Sequence, residues 1–324
     1  MKLIFTFLCT WLFFGENLPF GNTPEKIRQS AENSSPKTLL WKVSKSGMPQ
    51  PSYLLGINHV VSAEWLNDFP EIRSVIDSAD VLMTEFYGDN DKAIFGNNKQ
   101  ADSVNRAGVK IRAVDLLTAR QYATLDSFFV ARVGEGITNN QDALEMNVWE
   151  LSSAILMTLL SDKSKQGVTL PCMDRELYTG FKNKQKKVTA LDAIENLEFG
   201  SKDKERGKEI LSRFVEASKT GDYPGWNLSD TSYTAGRFLY DYKKMNLDYQ
   251  LDKEDPESVS LIGSHTSRER NISWMPQIES GISQNRCLIA VGALHLWYKT
   301  GLISLLRAKG YQVEPVFIAK VNQP

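Results

Sequence analysis

The chain is poor in the residues that advertise most chemistries. Its 324 residues hold three histidines and three cysteines. It contains no Cys-x-x-Cys, no His-Glu-x-x-His, no Gly-x-Gly-x-x-Gly and no P-loop. Those absences remove the signatures of two-cysteine metal sites, zincin proteases, dinucleotide folds and phosphate-cradling loops. Charge of one sign is missing too: 38 Lys and Arg stand against 39 Asp and Glu, a net charge of −1. Nucleic-acid binding therefore has no electrostatic support. The densest basic stretch, Lys182 to Lys187, reads as a solvated helix end and turn. Beyond the first residues, no apolar run approaches the roughly 20 residues that span a bilayer. With 42% hydrophobic residues, the chain can still bury a full core.

One short apolar run opens the chain. In MKLIFTFLCTWLFFG it extends from Leu3 to Phe14, the size of a signal-peptide core. Residues 1–21 are expected to be a signal peptide, with Gly15, Gly21 and Thr23 as candidate cleavage positions; an uncleaved membrane anchor is the alternative. The mature chain would be periplasmic or extracellular, with no membrane span. Residues 22–37 read as a polar lead-in and 38–320 as a single domain. Export would put Cys172 and Cys287 in an oxidising compartment, where a disulfide or two buried thiols both fit the sequence.

Strand and helix patterns alternate at both ends of the domain. TLLWKVSK, a Pro-rich turn and SYLLGIN predict a β-hairpin. PEIRSVIDSAD predicts a helix, and VLMTEF and VKIRAVD predict strands. ARQYATLDSFFVARV and ALEMNVWELSSAILMTLL carry apolar residues at helical spacing. VTLPCMD, a helix from Arg175, and KVTALD repeat a strand–helix–strand rhythm. ERNISWMPQIESGI is another helix, before a last unit of CLIAVGALH, a helix over Ile303–Lys309, and YQVEPVFIA. The expected fold is α/β, or α+β: a central mixed sheet with helices and a helical insertion over about 118–250.

Two of the three histidines share one setting. SYLLGINH and CLIAVGALH each run as an apolar strand into Gly-x-x-His, at Gly56–His59 and Gly292–His295. Open α/β sheets place ligands at the carboxyl ends of strands, and a glycine there permits a sharp bend or a close approach. A single strand-end histidine is usually structural; two in matched contexts point to one shared cleft. Glu85 ends the strand VLMTE beside the first unit. Two imidazoles and a carboxylate suit a divalent transition metal, zinc among them.

The chain also resembles the TraB/GumN family, which includes the Tiki proteins. The resemblance is carried by LLWKVSK, PSYLLGINH, ADVLMTE, MDRELYTGFKNKQKKVTALD, ERNISWMPQI and AVGALHLWYKTGLISLLRAKGYQVEPV. It implies a metal-dependent, metalloprotease-like hydrolase using manganese or cobalt and acting on a peptide or protein. It implies His59, Glu85 and His295 as the metal site, with Glu85 and Arg270 as catalytic residues. Asn58, Asp174, Asp192 and Asn271 are candidates for the surrounding shell. Two departures stand out. The first motif reads Gly-Ile-Asn-His, where the family has a hydroxyl after the glycine; and Leu296-Trp297-Tyr298 replaces the family's Leu-x-Gly. A binding protein that keeps the fold without catalysis is the competing reading. For Arg270 alone, a structural pair with Glu269 at a helix start is equally consistent with the residues. Asp115 and Asp174 read first as helix caps.

Overall fold

The computed structural model describes residues 36–59, 61–89, 111–163, 172–192, 203–220, 235–255 and 265–319. The signal peptide and residues 168–171 of the strand expected over VTLPCMD lie outside them, and the last residues of that segment, Met173 and Asp174, begin a helix. At their centre is a six-stranded sheet of order β4-β3-β5-β2-β1-β6. Its strands are β1 (Leu40–Ser44), β2 (Ser52–Ile57), β3 (Val81–Thr84), β4 (Lys187–Ala190), β5 (Cys287–Gly292) and β6 (Gln312–Pro315). β1 pairs antiparallel with β2 and with β6, whereas β4, β3, β5 and β2 run parallel side by side. The mixed sheet is the expected one; its inner parallel strands β3, β5 and β2 are mostly apolar and buried, whereas the edge strand β4 alternates buried Val188 and Ala190 with more exposed Lys187 and Thr189.

The flanking helices follow from ordinary signals. α1 (Pro70–Ser78) has Pro at its first position and links β2 to β3, with β5 inserted between them. α2 (Ala119–Val133) starts on a Thr118/Gln121 capping box and ends on left-handed Gly134. The long helix expected from Ala143 is split into α3 (Gln141–Leu144) and α4 (Val148–Lys163). Asn147 and Glu150 exchange hydrogen bonds, Glu150 N–H to Asn147 Oδ1 at 2.9 Å and Asn147 N–H to Glu150 Oε2 at 2.7 Å, so a cap interrupts the pattern. Further on come α5 (Met173–Asn183), α6 (Lys204–Thr220), α7 (Ala235–Lys243), α8 (Ser267–Ile282) and α9 (Leu302–Ala308). Among the described residues, no helix is long and apolar enough to cross a membrane.

Buried apolar side chains among the described residues form two clusters. The larger covers the sheet; the smaller joins α2, α4 and α6 through residues such as Leu125, Leu151, Ile155 and Phe214. The helical insertion is thus discontinuous. Within 118–250, α5, β4 and α7 return to the sheet, with Phe181, Val188 and Tyr242 in the larger cluster.

One expectation is corrected. VKIRAVD forms no sheet strand in its described part: Arg112 makes an isolated bridge to Asn147, and Ala113–Leu116 is a 3-10 turn. Its apolar residues bury into the smaller cluster, and Asp115 pairs with Arg112 on the surface. Of the two states open to Cys172 and Cys287, the structure has both as buried free thiols. Cys287 opens β5, opposite Val81, whereas the Cys172 thiol lies beside Asp174, beyond the far end of the sheet. Five strand residues separate the two levels, about 16 Å, and a disulfide spans at most about 7 Å between Cα atoms. Peptide mapping of non-reduced, unfolded protein should find each of the two alkylated singly; a peptide linking Cys172 to Cys287 would contradict this arrangement.

Candidate functional site

The four parallel strands deliver their carboxyl ends to one place. His59 follows β2, Glu85 follows β3, Asp192 follows β4, and His295 sits in the 3-10 turn Ala293–Leu296 after β5. All four side chains are buried. β3 and β4 stay paired past their ends, the Leu191 and Asp192 N–H groups donating to the Thr84 and Glu85 carbonyls at 2.8 and 2.9 Å.

The two motif glycines act reciprocally. A Cβ on Gly56 would stand 3.1 Å from Leu296 Cδ1 and 3.2 Å from Ala293 Cα, so the first glycine lets the turn bearing His295 lie on β2. A Cβ on Gly292 would stand 3.1 Å from Glu85 Oε1 and 3.3 Å from His59 Nε2, so the second glycine leaves room for the first histidine. Each histidine is seated by the other motif's glycine.

Arg270 ties the cluster together. A Thr266/Glu269 capping box fixes the start of α8, and the next residue projects into the site. Glu269 is therefore its neighbour in sequence and not its partner. The Arg270 Nε donates to Asp192 Oδ2 at 3.1 Å, Nη2 donates to Asp192 Oδ2 and Glu85 Oε2, and Nη1 lies 3.2 Å from His295 Nε2. Trp274, one turn along the same helix, donates from Nε1 to Asp192 Oδ1 at 2.8 Å and stacks on His295 at 4.6 Å between ring centres. Asn271 holds the other side of His295: its Oδ1 is 2.7 Å from Nδ1, and its Nδ2 donates to the His295 and Thr300 carbonyls. Because Nδ2 is committed to carbonyls, Oδ1 accepts from Nδ1–H and leaves the His295 Nε2 lone pair facing the cluster.

His59 is held differently. Its Nε2 is 3.6 Å from Glu85 Oε1, and its Nδ1 is 3.3 Å from Asp174 Oδ2. Asp174 is therefore not the helix cap expected from the sequence, since Cys172 holds that position; it is buried in the first turn of α5 and faces the ring. Glu85 accepts the Gly292 N–H at 2.7 Å on the same Oε1 and stands 3.6 Å from His295 Nε2 with Oε2. Asn58 is buried beside His59, and its carbonyl accepts the Val61 N–H.

The electrostatics follow from burial and neighbours. Burial alone would raise the Glu85 carboxyl, but Arg270 and the histidines hold it well below the usual carboxylate range. Burial alone would lower His59; Asp174 and then Glu85 outweigh it and raise its pKa. Burial, with Arg270 and His59 beside it, pushes His295 down to about 3 against the pull of Glu85. Burial raises Asp192 in spite of its guanidinium partner. Among the described residues, the cluster gathers three buried carboxylates, Glu85 and Asp192 on the permanent cation Arg270 and Asp174 beside His59. A proton on His59 supplies one of the two missing positive charges, and a divalent cation would supply both.

The donor set fits a divalent cation in three respects. His295 Nδ1 is hydrogen-bonded to Asn271 Oδ1, and His59 Nδ1 stands 3.3 Å from Asp174 Oδ2, where a metal-ligating histidine usually has an oxygen in support. Both Nε2 atoms lie 3.6 Å from a Glu85 oxygen, close to the donor spacing in a tetrahedral site. The Gly292 position leaves open the space that a Cβ would fill between Glu85 and His59. Against this, Arg270 already engages His295 Nε2 and Glu85 Oε2. With it in place, no three His, Cys, Asp or Glu side chains among the described residues form a ready metal cage.

Sequence reading missed Trp274 and the His59–Asp174 pairing. The four-residue spacing from Arg270 to Trp274 on one helix was the available signal for the first. The bulk after the second motif fills the core rather than a pocket mouth: Trp297 packs against Tyr249 and Phe238. Tyr298 adopts φ 68°, where glycine is favoured, held by its N–H to the Tyr249 carbonyl. Ile57, in place of the hydroxyl residue, is buried core.

Compared with known proteins, residues 39–315 match the sequence profile of the TraB/PrgY/gumN family. No curated protein and no solved structure gives a match.

The two histidines should give metal-free protein opposing pH limbs. An unfolded histidine titrates near about 6.5. Below that, the unfolded chain takes up a proton that buried His295 refuses, so stability falls as pH drops toward its folded value, by up to about 1.4 kcal/mol per pH unit. His59 contributes stability that is complete below about pH 6.5 and is lost as pH rises through its raised folded value. Denaturation of chelator-treated protein across pH should show His295→Gln flattening the limb between about pH 6.5 and 4.5, and His59→Gln flattening the alkaline limb.

Proposed function

The chain belongs to the TraB/PrgY/gumN family, and from that footing we propose that it is a metal-dependent hydrolase acting on peptide bonds. One observation carries the reading: four adjacent parallel strands bring His59, Glu85, His295 and Asp192 into a single buried cluster that is short of positive charge. His59 and His295 would hold the cation through Nε2, with Glu85 between them. Manganese or cobalt follows from the family resemblance, and zinc suits the same donors. Such a cation, when bound, supplies an acidified water and polarises a carbonyl.

The remaining steps belong to the chain's own residues. Asn271 keeps the proton of His295 on Nδ1. Asp174 does the same for His59. Asp192 anchors Arg270 through Nε as well as Nη2, so the guanidinium has a carboxylate to stay on when Glu85 and His295 turn to the cation. From there it stands beside Glu85 to balance negative charge that develops on a substrate carbonyl. Glu85 is the carboxylate placed to take a proton from water. The apolar run Leu3–Phe14 supports export to a periplasmic or extracellular setting.

A second reading, a partner-binding protein without catalysis, is favoured by Arg270, which already satisfies His295 Nε2 and Glu85 Oε2. Metal analysis separates the two. Purified protein dialysed against Mn(II) or Co(II) should retain the ion and cleave a peptide library. His59→Gln, Glu85→Gln and His295→Gln should each lose both properties by at least about 100-fold. Parent protein that retains no ion and gains no thermal stability from Mn, Co or Zn points to the second reading.

Gly292 gives an independent check. Alanine fits its backbone, φ −48°, but places a methyl 3.1 Å from Glu85 Oε1 and 3.3 Å from His59 Nε2. Gly292→Ala should weaken metal retention while the protein stays folded. Calorimetric titration showing parent-like affinity would rule out a cation at this position.

A further inference from the structure

The two histidines are seated by different chemistry. His295 Nδ1 meets a neutral amide, Asn271 Oδ1 at 2.7 Å. His59 Nδ1 meets a carboxylate, Asp174 Oδ2 at 3.3 Å. The other oxygen of that carboxylate accepts the Cys172 thiol at 2.9 Å. Cys172 occupies the N-cap of α5, a position favouring Ser, Thr, Asp or Asn, yet its side chain caps no backbone group. The thiol is spent on Asp174 instead. Glu176 completes the attachment. Its Oε1 accepts the Cys172 N–H at 3.2 Å, and its Oε2 accepts Ser62 Oγ at 2.8 Å and the Ala63 N–H at 2.7 Å. One turn of α5 therefore grips both the ring of His59 and the chain that follows it.

We propose that Asp174 is the positioning residue of His59 and that the Cys172 thiol sets Asp174, a Cys172–Asp174–His59 relay that makes His59 the stronger of the two imidazole donors. A buried carboxylate on Nδ1–H fixes the tautomer and raises the basicity of Nε2, where the amide on His295 fixes the tautomer alone. The thiol occupies Oδ1 and leaves Oδ2 for the ring. Cys172 serves here as a donor rather than a metal ligand: it is fully buried, and its sulfur faces Asp174.

The metal arm of the test rests on the function proposed above; the tautomer arm does not. Side-chain ¹⁵N–¹H correlation spectra of metal-free protein, at a pH where both rings are neutral, should show His59 and His295 both protonated on Nδ1. Asp174→Leu should release His59 to a tautomer mixture and leave His295 unchanged. Titration with Mn(II) should show Asp174→Asn weakened about 10- to 100-fold. Cys172→Ala should be weakened several-fold, and Cys172→Ser, which keeps a donor, should return to near the parent affinity. A His59 proton on Nε2 in the parent overturns the proposal. So does Asp174→Asn with parent affinity, or Cys172→Ser as weak as Cys172→Ala. If the parent binds no Mn(II), the hydrolase reading fails, and the His59 tautomer in the parent and in Asp174→Leu still decides the relay.

Discussion

A single guanidinium organises the site. Arg270 is buried against Asp192, Glu85 and His295, between the rings of Trp274 and Phe86 at 4.8 and 5.3 Å. Carboxylates of this kind cannot be buried unpaired; each would cost several kcal/mol. Arginine suits the task because its planar fork reaches two acids and a ring nitrogen at once, a geometry that lysine cannot copy. The residue that stabilises the cluster also occupies the lone pairs a metal would need. The contacts that stabilise the cluster are thus the ones a bound cation would have to replace.

That arrangement is possible because of the sheet. Four parallel strands end near one another, and each contributes one polar side chain shortly beyond its last paired residue: Glu85 directly after β3, His59 and Asp192 two residues after β2 and β4, and His295 three after β5. The reciprocal use of the two glycines brings the ends close enough to touch. Gly56 admits the turn that bears His295, and Gly292 admits the ring of His59. Neither motif is complete alone. α8 then closes the cluster from one side with Arg270, Asn271 and Trp274, and the first turn of α5 closes it from the other with Asp174.

Much of this was legible before the fold was known. Apolar strands ending in Gly-x-x-His located His59 and His295, and VLMTE located Glu85, because a buried parallel strand has few ways to present a polar residue except at its end. Arg270, Asn271 and Asp192 came into view through family resemblance, since nothing local marks them. The misreadings have local causes. VKIRAVD alternates like a strand, but its apolar residues serve the helical cluster. VTLPCMD suggested an Asp174 at a strand end, whereas Met173 and Asp174 begin a helix. The pairing of Asp174 with His59 joins residues 115 apart, beyond any local pattern. Glu85 also holds both Arg270 and the Gly292 N–H, so truncating it to alanine would strand two buried donors.

The central claim is that His59, Glu85 and His295 share one cation and that Arg270 yields to it. A crystal structure of the protein grown with Mn(II), with anomalous differences measured, addresses it most directly. The account predicts one strong peak within coordination distance, about 2–2.3 Å, of His59 Nε2, His295 Nε2 and a Glu85 oxygen, with Arg270 retained on Asp192 alone. A map with no peak there, and the guanidinium still bridging Asp192, Glu85 and His295, would contradict it.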